Sequence, residues 1–101
     1  ALDQMVRYYA VFLGKSGIRV NGVAPSTILK DENKKFILKD KDLLKTQKRV
    51  TPLDRVGTAK EVCSVIKFLM SNDASFVTGQ IIVVDGGISL LWQESVALAD
   101  N

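Results

Sequence analysis

The 101-residue sequence contains no histidine, one cysteine and two prolines. Without histidine the chain cannot build a Cys/His metal site or a Cys–His nucleophile pair from its own residues, and we expect no metal. The single cysteine, Cys63, cannot form an internal disulfide. No run of about eighteen apolar residues is present, so we expect no contact with a membrane. By default these features indicate a cytoplasmic protein.

Positive charge is concentrated in one segment of the chain. The net charge is +3, whereas residues 30–50 alone hold eight Lys or Arg against four Asp or Glu. The lysines alternate with acidic and apolar residues, which is typical of the solvated face of a short helix. A substrate lid is the main alternative. Its inner side would use Phe36, Ile37, Leu38, Leu43 and Leu44. A phosphate- or nucleic-acid-binding surface is a third interpretation, and we expect no nucleic-acid partner.

Apolar spacing predicts two long helices, with one or two shorter helices between residues 29 and 50. The first long helix ends near Gly14. It has no capping residue before Leu2, so we expect the chain to begin inside a helix of a longer protein. Its predicted stripe is Leu2, Met5, Val6, Tyr9, Phe12 and Leu13. The second opens at Thr58, with Glu61 completing a capping box, and ends before Ser71. Its predicted buried residues are Val62, Cys63, Val65, Ile66 and Leu69.

Two apolar runs predict strands. The first, IRVNGVA, is β-branched and is ended by Pro25, and the second, GQIIVVDGG, is continuously apolar, as in strands covered on both faces. The segment TPLDRVG between them reads as a turn and linker, and the tail as a short helix or extended arm. Strand, helix and strand in this order predict a parallel βαβ unit. Because two strands make too small a sheet, we expect part of a larger α/β fold.

Three motifs, taken together, resemble the C-terminal part of the short-chain dehydrogenase/reductase family. They are GIRVN before Pro25, Thr78-Gly79, and Asp85-Gly86-Gly87. The resemblance implies a Rossmann-type, doubly wound parallel sheet. Residues 1–101 would be the partial C-terminal half of one NAD(P)-binding domain, and residues 29–50 a substrate lid.

The same resemblance implies hydride transfer between a nicotinamide cofactor, NAD or NADP, and an alcohol or carbonyl substrate, in a homodimer or homotetramer. The family's catalytic Tyr-x-x-x-Lys pair does not occur here, because Tyr8 and Tyr9 have Phe12 and Leu13 four residues on. A Gly-x-x-x-Gly-x-Gly motif is also missing. We therefore expect no catalytic residue in this chain, and no activity from it alone. The alternative is an inactive truncated remnant or an interaction module that associates through an exposed sheet edge.

The family's loop after the first of these strands begins Pro-Gly-x-Ile-x-Thr and meets the nicotinamide amide. Pro25 and Ile28 match this pattern, Ser26 replaces the glycine, and Lys30 replaces the threonine. The resemblance thus implies that these four residues bind the cofactor, with Lys30 able to pair with a cofactor phosphate. Serine reaches positive φ only at a cost, so we expect a shifted turn. An ordinary strand-ending proline is the alternative.

The remaining conspicuous residues favour structural roles. Asp85 lies at a strand end beside two glycines, which favours a turn that binds backbone N–H groups over a metal or catalytic carboxylate. Tyr8, Tyr9 and Phe12 are predicted to be core or subunit contacts. Trp92 could anchor on a neighbouring subunit or close over substrate.

Overall fold

The structure, a computed structural model, describes residues 1–26, 28–29 and 32–92. Helices and short strands alternate along these residues. Their order is α1 (Leu2–Gly14), β1 (Gly22–Pro25), β2 (Ile28–Leu29), α2 (Lys34–Lys39), α3 (Lys41–Val50), β3 (Gly57–Thr58), α4 (Ala59–Met70) and β4 (Ile81–Val84). Two 3₁₀ helices follow α4 and β4, at Asn72–Ala74 and Ile88–Leu90. The predicted ends of α1 and α4 are confirmed. The part of the tail beyond Trp92 lies outside the described residues.

The described strands form two separate two-stranded sheets. In one, β1 pairs with β4 across a crossover. In the other, β2 and β3 pair in parallel, with Ile28 opposite Gly57 and Leu29 opposite Thr58. Residues 51–57 were predicted to form a turn and linker, and this prediction is wrong at Gly57, which lies in β3. Strands of two residues are too short to show an alternating pattern, so their pairing was invisible in the sequence.

The chain divides into two compact units, residues 1–24 with 60–83, and residues 25–59 with the chain from Val84 onward. In the first unit, the small core is formed by α1, α4 and the 3₁₀ helix that follows α4. Its buried apolar residues are Val6, Ala10, Val62, Leu69 and Ala74. In the second unit, Ile37 of α2 is the buried apolar residue, with 4% of its surface exposed.

The apolar stripes of the two long helices are wider than the surfaces they bury. Of the α1 stripe, Val6 is buried and Leu13 half-buried. Leu2, Met5, Tyr9 and Phe12 are exposed. On α4, Val62 and Leu69 are buried, Val65 is half-buried, and Ile66 is 38% exposed. The predicted burial of the α4 stripe is therefore wrong at Ile66. Of the two roles predicted for Tyr9 and Phe12 of α1, core or subunit contact, their exposure is against the core.

A further burial prediction is wrong. Cys63 was assigned to the core but is exposed. Neighbouring helix residues point about 100° apart, so burial of Val62 turns Cys63 away. The pattern of β4 is typical of a strand covered on both faces, which one βα unit cannot supply, and Val83 is 53% exposed.

The segment between β2 and β3 forms two short helices, within the predicted one or two. Asp40 joins them, and its carboxylate accepts a hydrogen bond from the Leu43 N–H at 2.9 Å, which caps α3. Leu43, Leu44, Gln47 and Val50 form the half-buried face of α3, whereas Lys41, Lys45, Lys48 and Arg49 are exposed. The cationic residues of α3 thus form a solvated face.

The side chain of Asn21 ties the start of β1 to the chain before β4. Its Nδ2 donates to the Val77 carbonyl at 2.9 Å, and its Oδ1 accepts from the Gln80 N–H at 3.0 Å. Main-chain bonds reinforce this connection. They run from Gly79 N–H to the Val20 carbonyl at 2.7 Å and from Gly22 N–H to the Gln80 carbonyl at 2.8 Å. The Asn21 amide therefore sets where β1 begins relative to β4.

Arg19 makes a second connection within the same unit. Its guanidinium donates to the Leu69 carbonyl at 2.7 Å and to the Ser71 carbonyl at 3.3 Å. These carbonyls lie at the C-terminal end of α4, where backbone acceptors lack helical partners and a positive charge is favourable. The motif residues Arg19 and Asn21 thus have structural roles here.

We expect Asn21→Ala to lower the free energy of unfolding of the full-length protein by about 2 kcal/mol, because a partly buried acceptor and donor both lose their partner. Urea denaturation measures this loss. Asn72→Ala, at an exposed asparagine of the first 3₁₀ helix, is the matched control and should change stability by less than about 0.5 kcal/mol. Equal effects of the two substitutions would contradict the role given to Asn21.

Candidate cofactor loop and lid

The loop that the resemblance assigns to the cofactor starts at the end of β1. Pro25 is the last residue of that strand and is exposed, and Ser26, which follows it, is half-buried. Proline has no N–H, so Pro25 offers a fixed φ and a carbonyl acceptor rather than a donor. Ser26 adds a hydroxyl, which both donates and accepts.

Ser26 does not adopt a positive φ. Among the described residues, Asp54, with φ 61°, is the sole residue other than glycine in the positive-φ region. Ser26 therefore stands where the family pattern has glycine without adopting the conformation that favours glycine. The expected shift of the turn relative to the family pattern stays a prediction.

Ile28 lies on β2 and is held from two sides. Its strand pairs with β3, opposite Gly57. Its carbonyl accepts a hydrogen bond from Asn33 Nδ2 at 3.2 Å. A carbonyl oxygen has two lone pairs, so a carbonyl that accepts one hydrogen bond can also accept a second. The Ser26 hydroxyl and the Ile28 carbonyl are polar groups of the kind that a carboxamide bonds, and no Gly-x-x-x-Gly-x-Gly motif for a pyrophosphate occurs in the sequence.

The fourth predicted residue, Lys30, lies outside the described residues. The structure therefore describes Pro25, Ser26 and Ile28, which are close in sequence and span the passage from β1 to β2.

Asn33 was missed by the sequence analysis. It occupies the N-cap position of α2, and its carbonyl accepts a hydrogen bond from the Ile37 N–H at 2.9 Å. An asparagine before a helical patch is a recognisable signal, but it predicts a side chain that caps the helix. The contact with Ile28 is a tertiary feature that this signal does not contain.

Asp85 organises a turn in the same unit, as predicted. Its Oδ1 accepts from the Gly87 N–H and its Oδ2 from the Ser89 N–H, each at 2.9 Å. Hydrogen bonds from the Ser89 side chain, and then from the Gly87 backbone, hold the pKa of Asp85 below its usual value. The carboxylate is thus engaged in the turn rather than presented for catalysis.

The two glycines of this turn allow it to pack against the chain that leaves α3. Gly86 has φ 65°, and a Cβ on it would lie 2.7 Å from Thr51 Cγ2. A Cβ on Gly87, with φ 96°, would lie 2.9 Å from Pro52 Cγ. The Gly86 carbonyl accepts from the Leu53 N–H at 3.2 Å. Thr51 is 8% exposed, and its hydroxyl donates to the Gln47 carbonyl of α3.

A groove of about 480 Å³ lies in the first unit. Its lining residues are Arg19, Asn21, Gly22, Val23, Ile66, Leu69 and Met70. Of the predicted cofactor residues that the structure describes, Pro25, Ser26 and Ile28, none lines it. It runs beside β1, which pairs with β4 alone among the described strands and so leaves its other edge open.

Two features are missing from the part of the chain that the structure describes. No helix there has the length and apolar character needed to cross a membrane. No group of three or more Cys, Asp or Glu side chains there could bind a metal ion.

Comparison with known proteins identifies the family. The family model described as enoyl-(acyl carrier protein) reductase matches residues 1–89. The chain belongs to the short-chain dehydrogenase/reductase family. A tropinone reductase homologue of Arabidopsis thaliana is 43% identical over 90 residues, which are 89% of this chain and 33% of the relative. The chain thus spans about a third of the length of the curated relatives it matches.

Solved structures of this family share the fold. A 4-hydroxyisoleucine dehydrogenase complexed with NADH matches with a TM-score of 0.83 and 32% identity, over 90% of this chain and 37% of that chain. A family member from Mycobacterium ulcerans matches at 0.80 and 39% identity, over 88% and 32% of the two chains. A gluconate 5-dehydrogenase from Burkholderia cenocepacia, in complex with NADP and tartrate, matches at 0.79 and 28% identity, over 91% and 36%. The predicted Rossmann-type α/β class is confirmed.

We expect Gly86→Ala to lower the free energy of unfolding of the full-length protein by about 2–4 kcal/mol, because the added methyl meets the buried Thr51 and alanine disfavours positive φ. Thermal or urea denaturation tests this. Gly14→Ala is the matched control, since nothing lies within 4 Å of its position and its φ is not positive. The close packing of the turn is refuted if both variants unfold like the parent protein.

Proposed function

We propose that residues 1–101 are the C-terminal half of an NAD(P)-binding domain in an oxidoreductase that interconverts an alcohol and a carbonyl compound. The observation that supports this most directly is the way the Ile28 peptide is held, by β3 on one side and Asn33 on the other. That peptide stands at the family position that meets the nicotinamide. The NADH and NADP named for two structural relatives agree with either cofactor.

In this proposal the loop orients the nicotinamide ring. The bound cofactor supplies or accepts the hydride. Pro25 fixes the direction in which the chain leaves β1, and the remaining lone pair of the Ile28 carbonyl accepts from the carboxamide. Ser26 offers a hydroxyl beside them, and Lys30 pairs with a cofactor phosphate. Rigid presentation of one ring face is what hydride transfer requires from the protein.

Residues 29–50 form the substrate lid in the same proposal. Ile37 anchors α2 because it is buried, whereas Phe36 is 69% and Leu38 is 46% exposed. Exposed apolar side chains next to a buried anchor suit a surface that closes over the carbon skeleton of an alcohol or ketone. The cationic face of α3 remains in solvent.

The exposed face of α1 is the proposed oligomer interface, in a homodimer or homotetramer. The rings of Tyr8 and Phe12 stack with centroids 5.9 Å apart, and Tyr8 meets Tyr9 edge-on at 5.2 Å. All three side chains are exposed, as are Leu2 and Met5. An apolar patch of this kind marks a protein interface.

One observation favours a second candidate, a non-enzymatic module that associates through its sheet edge. The open edge of β1 lies beside the groove, where Ile66 and Met70 are exposed. An unpaired strand edge flanked by apolar side chains favours pairing with another chain.

We expect the isolated 101-residue chain to show no NAD(P)H turnover with any ketone, because it holds neither a Tyr-x-x-x-Lys pair nor a pyrophosphate loop. The full-length protein is expected to bind NADH or NADPH and to oxidise it in the presence of a ketone. Fluorescence titration and absorbance at the reduced nicotinamide band measure the two properties.

Two results would count against the enzyme. One is coding sequence upstream of Ala1 that holds neither a Tyr-x-x-x-Lys nor a glycine-rich βα turn. The other is an isolated chain that melts cooperatively as a discrete oligomer in size-exclusion chromatography, which would support the sheet-edge module instead.

The oligomer proposal makes a separate prediction. Phe12→Asp in the full-length protein places a charge in the aromatic patch, and should convert the oligomer to a smaller species, as measured by light scattering after size exclusion. Lys15→Asp, at an exposed position just beyond α1, is the control and should leave the mass unchanged. An unchanged mass for Phe12→Asp would place the interface elsewhere.

A further inference from the structure

We propose that Asn33 is a positioning residue that couples the lid to the nicotinamide-facing loop by holding the Ile28 peptide. This inference rests on the proposed function of the loop. It assigns a role to a residue that the family motif does not include.

The side chain of Asn33 does not make the hydrogen bond that an asparagine usually makes at this position. At an N-cap, the asparagine oxygen normally accepts a hydrogen bond from a backbone N–H in the first helical turn. Asn33 occupies the N-cap of α2 but makes no side-chain cap bond. Its Nδ2 instead donates to the Ile28 carbonyl at 3.2 Å. The usual stabilisation of the helix end is therefore replaced by a contact with the loop.

The main chain of Asn33 connects to the buried part of the lid. Its carbonyl accepts from the N–H of Ile37, which is 4% exposed. One residue thus joins the buried anchor of α2 to the Ile28 peptide. A rotation of α2 that moved Ile37 would also move Asn33 Nδ2, which donates the hydrogen bond to the Ile28 carbonyl.

Ile28 needs such a donor because its strand is short. The pairing of β2 with β3 involves two residues on each strand, so the sheet alone gives the loop few backbone hydrogen bonds. The Asn33 bond occupies one lone pair of the Ile28 carbonyl and orients its peptide plane. An incoming carboxamide then meets a peptide held in one orientation.

A purely structural Asn33 and a positioning Asn33 make different predictions for ligand binding. If Asn33 merely stabilises the chain before α2, its loss lowers stability and weakens every cofactor fragment alike. If it positions the Ile28 peptide, its loss weakens ligands that contain nicotinamide and spares ADP-ribose, which has the same pyrophosphate but no nicotinamide.

The test uses the full-length protein with two Asn33 variants that lose the amide donor. Asn33→Ala removes the side-chain amide, and Asn33→Ser keeps a residue that favours the N-cap but is too short to replace the amide. Calorimetry compares the reduced cofactor that the parent protein binds, NADH or NADPH, with ADP-ribose or its 2′-phosphate. We expect both variants to bind the reduced cofactor about tenfold more weakly, and ADP-ribose within about twofold of the parent protein.

Two further variants serve as controls. Asn33→Gln keeps an amide donor and should recover part of the lost affinity for the reduced cofactor. Asn72→Ala, at an exposed asparagine, should bind both ligands like the parent protein. Equal weakening of both ligands by Asn33→Ala, or weakening of neither, overturns the positioning role. If the parent protein binds neither ligand, the proposed function itself is wrong and this inference falls with it.

Discussion

The two hydrogen bonds of the Asn21 side-chain amide are the constraint on which the proposed cofactor loop depends. One end of the amide donates to Val77 and the other accepts from Gln80, so a side chain with only donors or only acceptors cannot replace it. Together, these two hydrogen bonds fix the start of β1 against the chain that leads into β4. Because β1 is four residues long, fixing its start also fixes where Pro25 ends it. The loop is thus directed by a contact outside the loop.

Many large apolar side chains of the described residues are exposed. No large side chain in the described residues is fully buried, while aromatic and aliphatic residues of α1 and α4 are exposed. Burial of apolar surface contributes about 25 cal/mol for each Å². The exposed faces of α1 and α4 therefore do not stabilise the chain by burial within it. The curated relatives are about three times as long. The proposal that this chain is one part of a larger domain accounts for both facts.

The local sequence patterns predicted the structural features that depend on local interactions. The ends of α1 and α4 follow from periodicity and capping, and the Asp85 turn follows from a carboxylate beside two glycines. The family motifs indicated the cofactor loop. The exposure of Cys63 follows from the same periodicity, because Cys63 lies about 100° from the buried Val62. The exposure of Ile66 could not be predicted, because the periodicity of α4 does not reveal how much sheet covers its stripe. The β2–β3 pair and the Asn33 contact depend on residues brought together by tertiary structure, and two-residue strands have no detectable period.

The structure holds α2 and α3 at both ends. Before α2, Asn33 joins Ile37 to the Ile28 carbonyl. After α3, Thr51 bonds to Gln47 and packs against the turn at Gly86, where a larger residue would collide with it. Between these points, the helices are connected by the Asp40 cap, and Phe36 and Leu38 are exposed. Of these contacts, the one at Asn33 reaches Ile28, the proposed nicotinamide position, and connects it to the buried Ile37 of α2. The proposed coupling of the lid to the cofactor therefore depends on a contact within the segment that would form the lid.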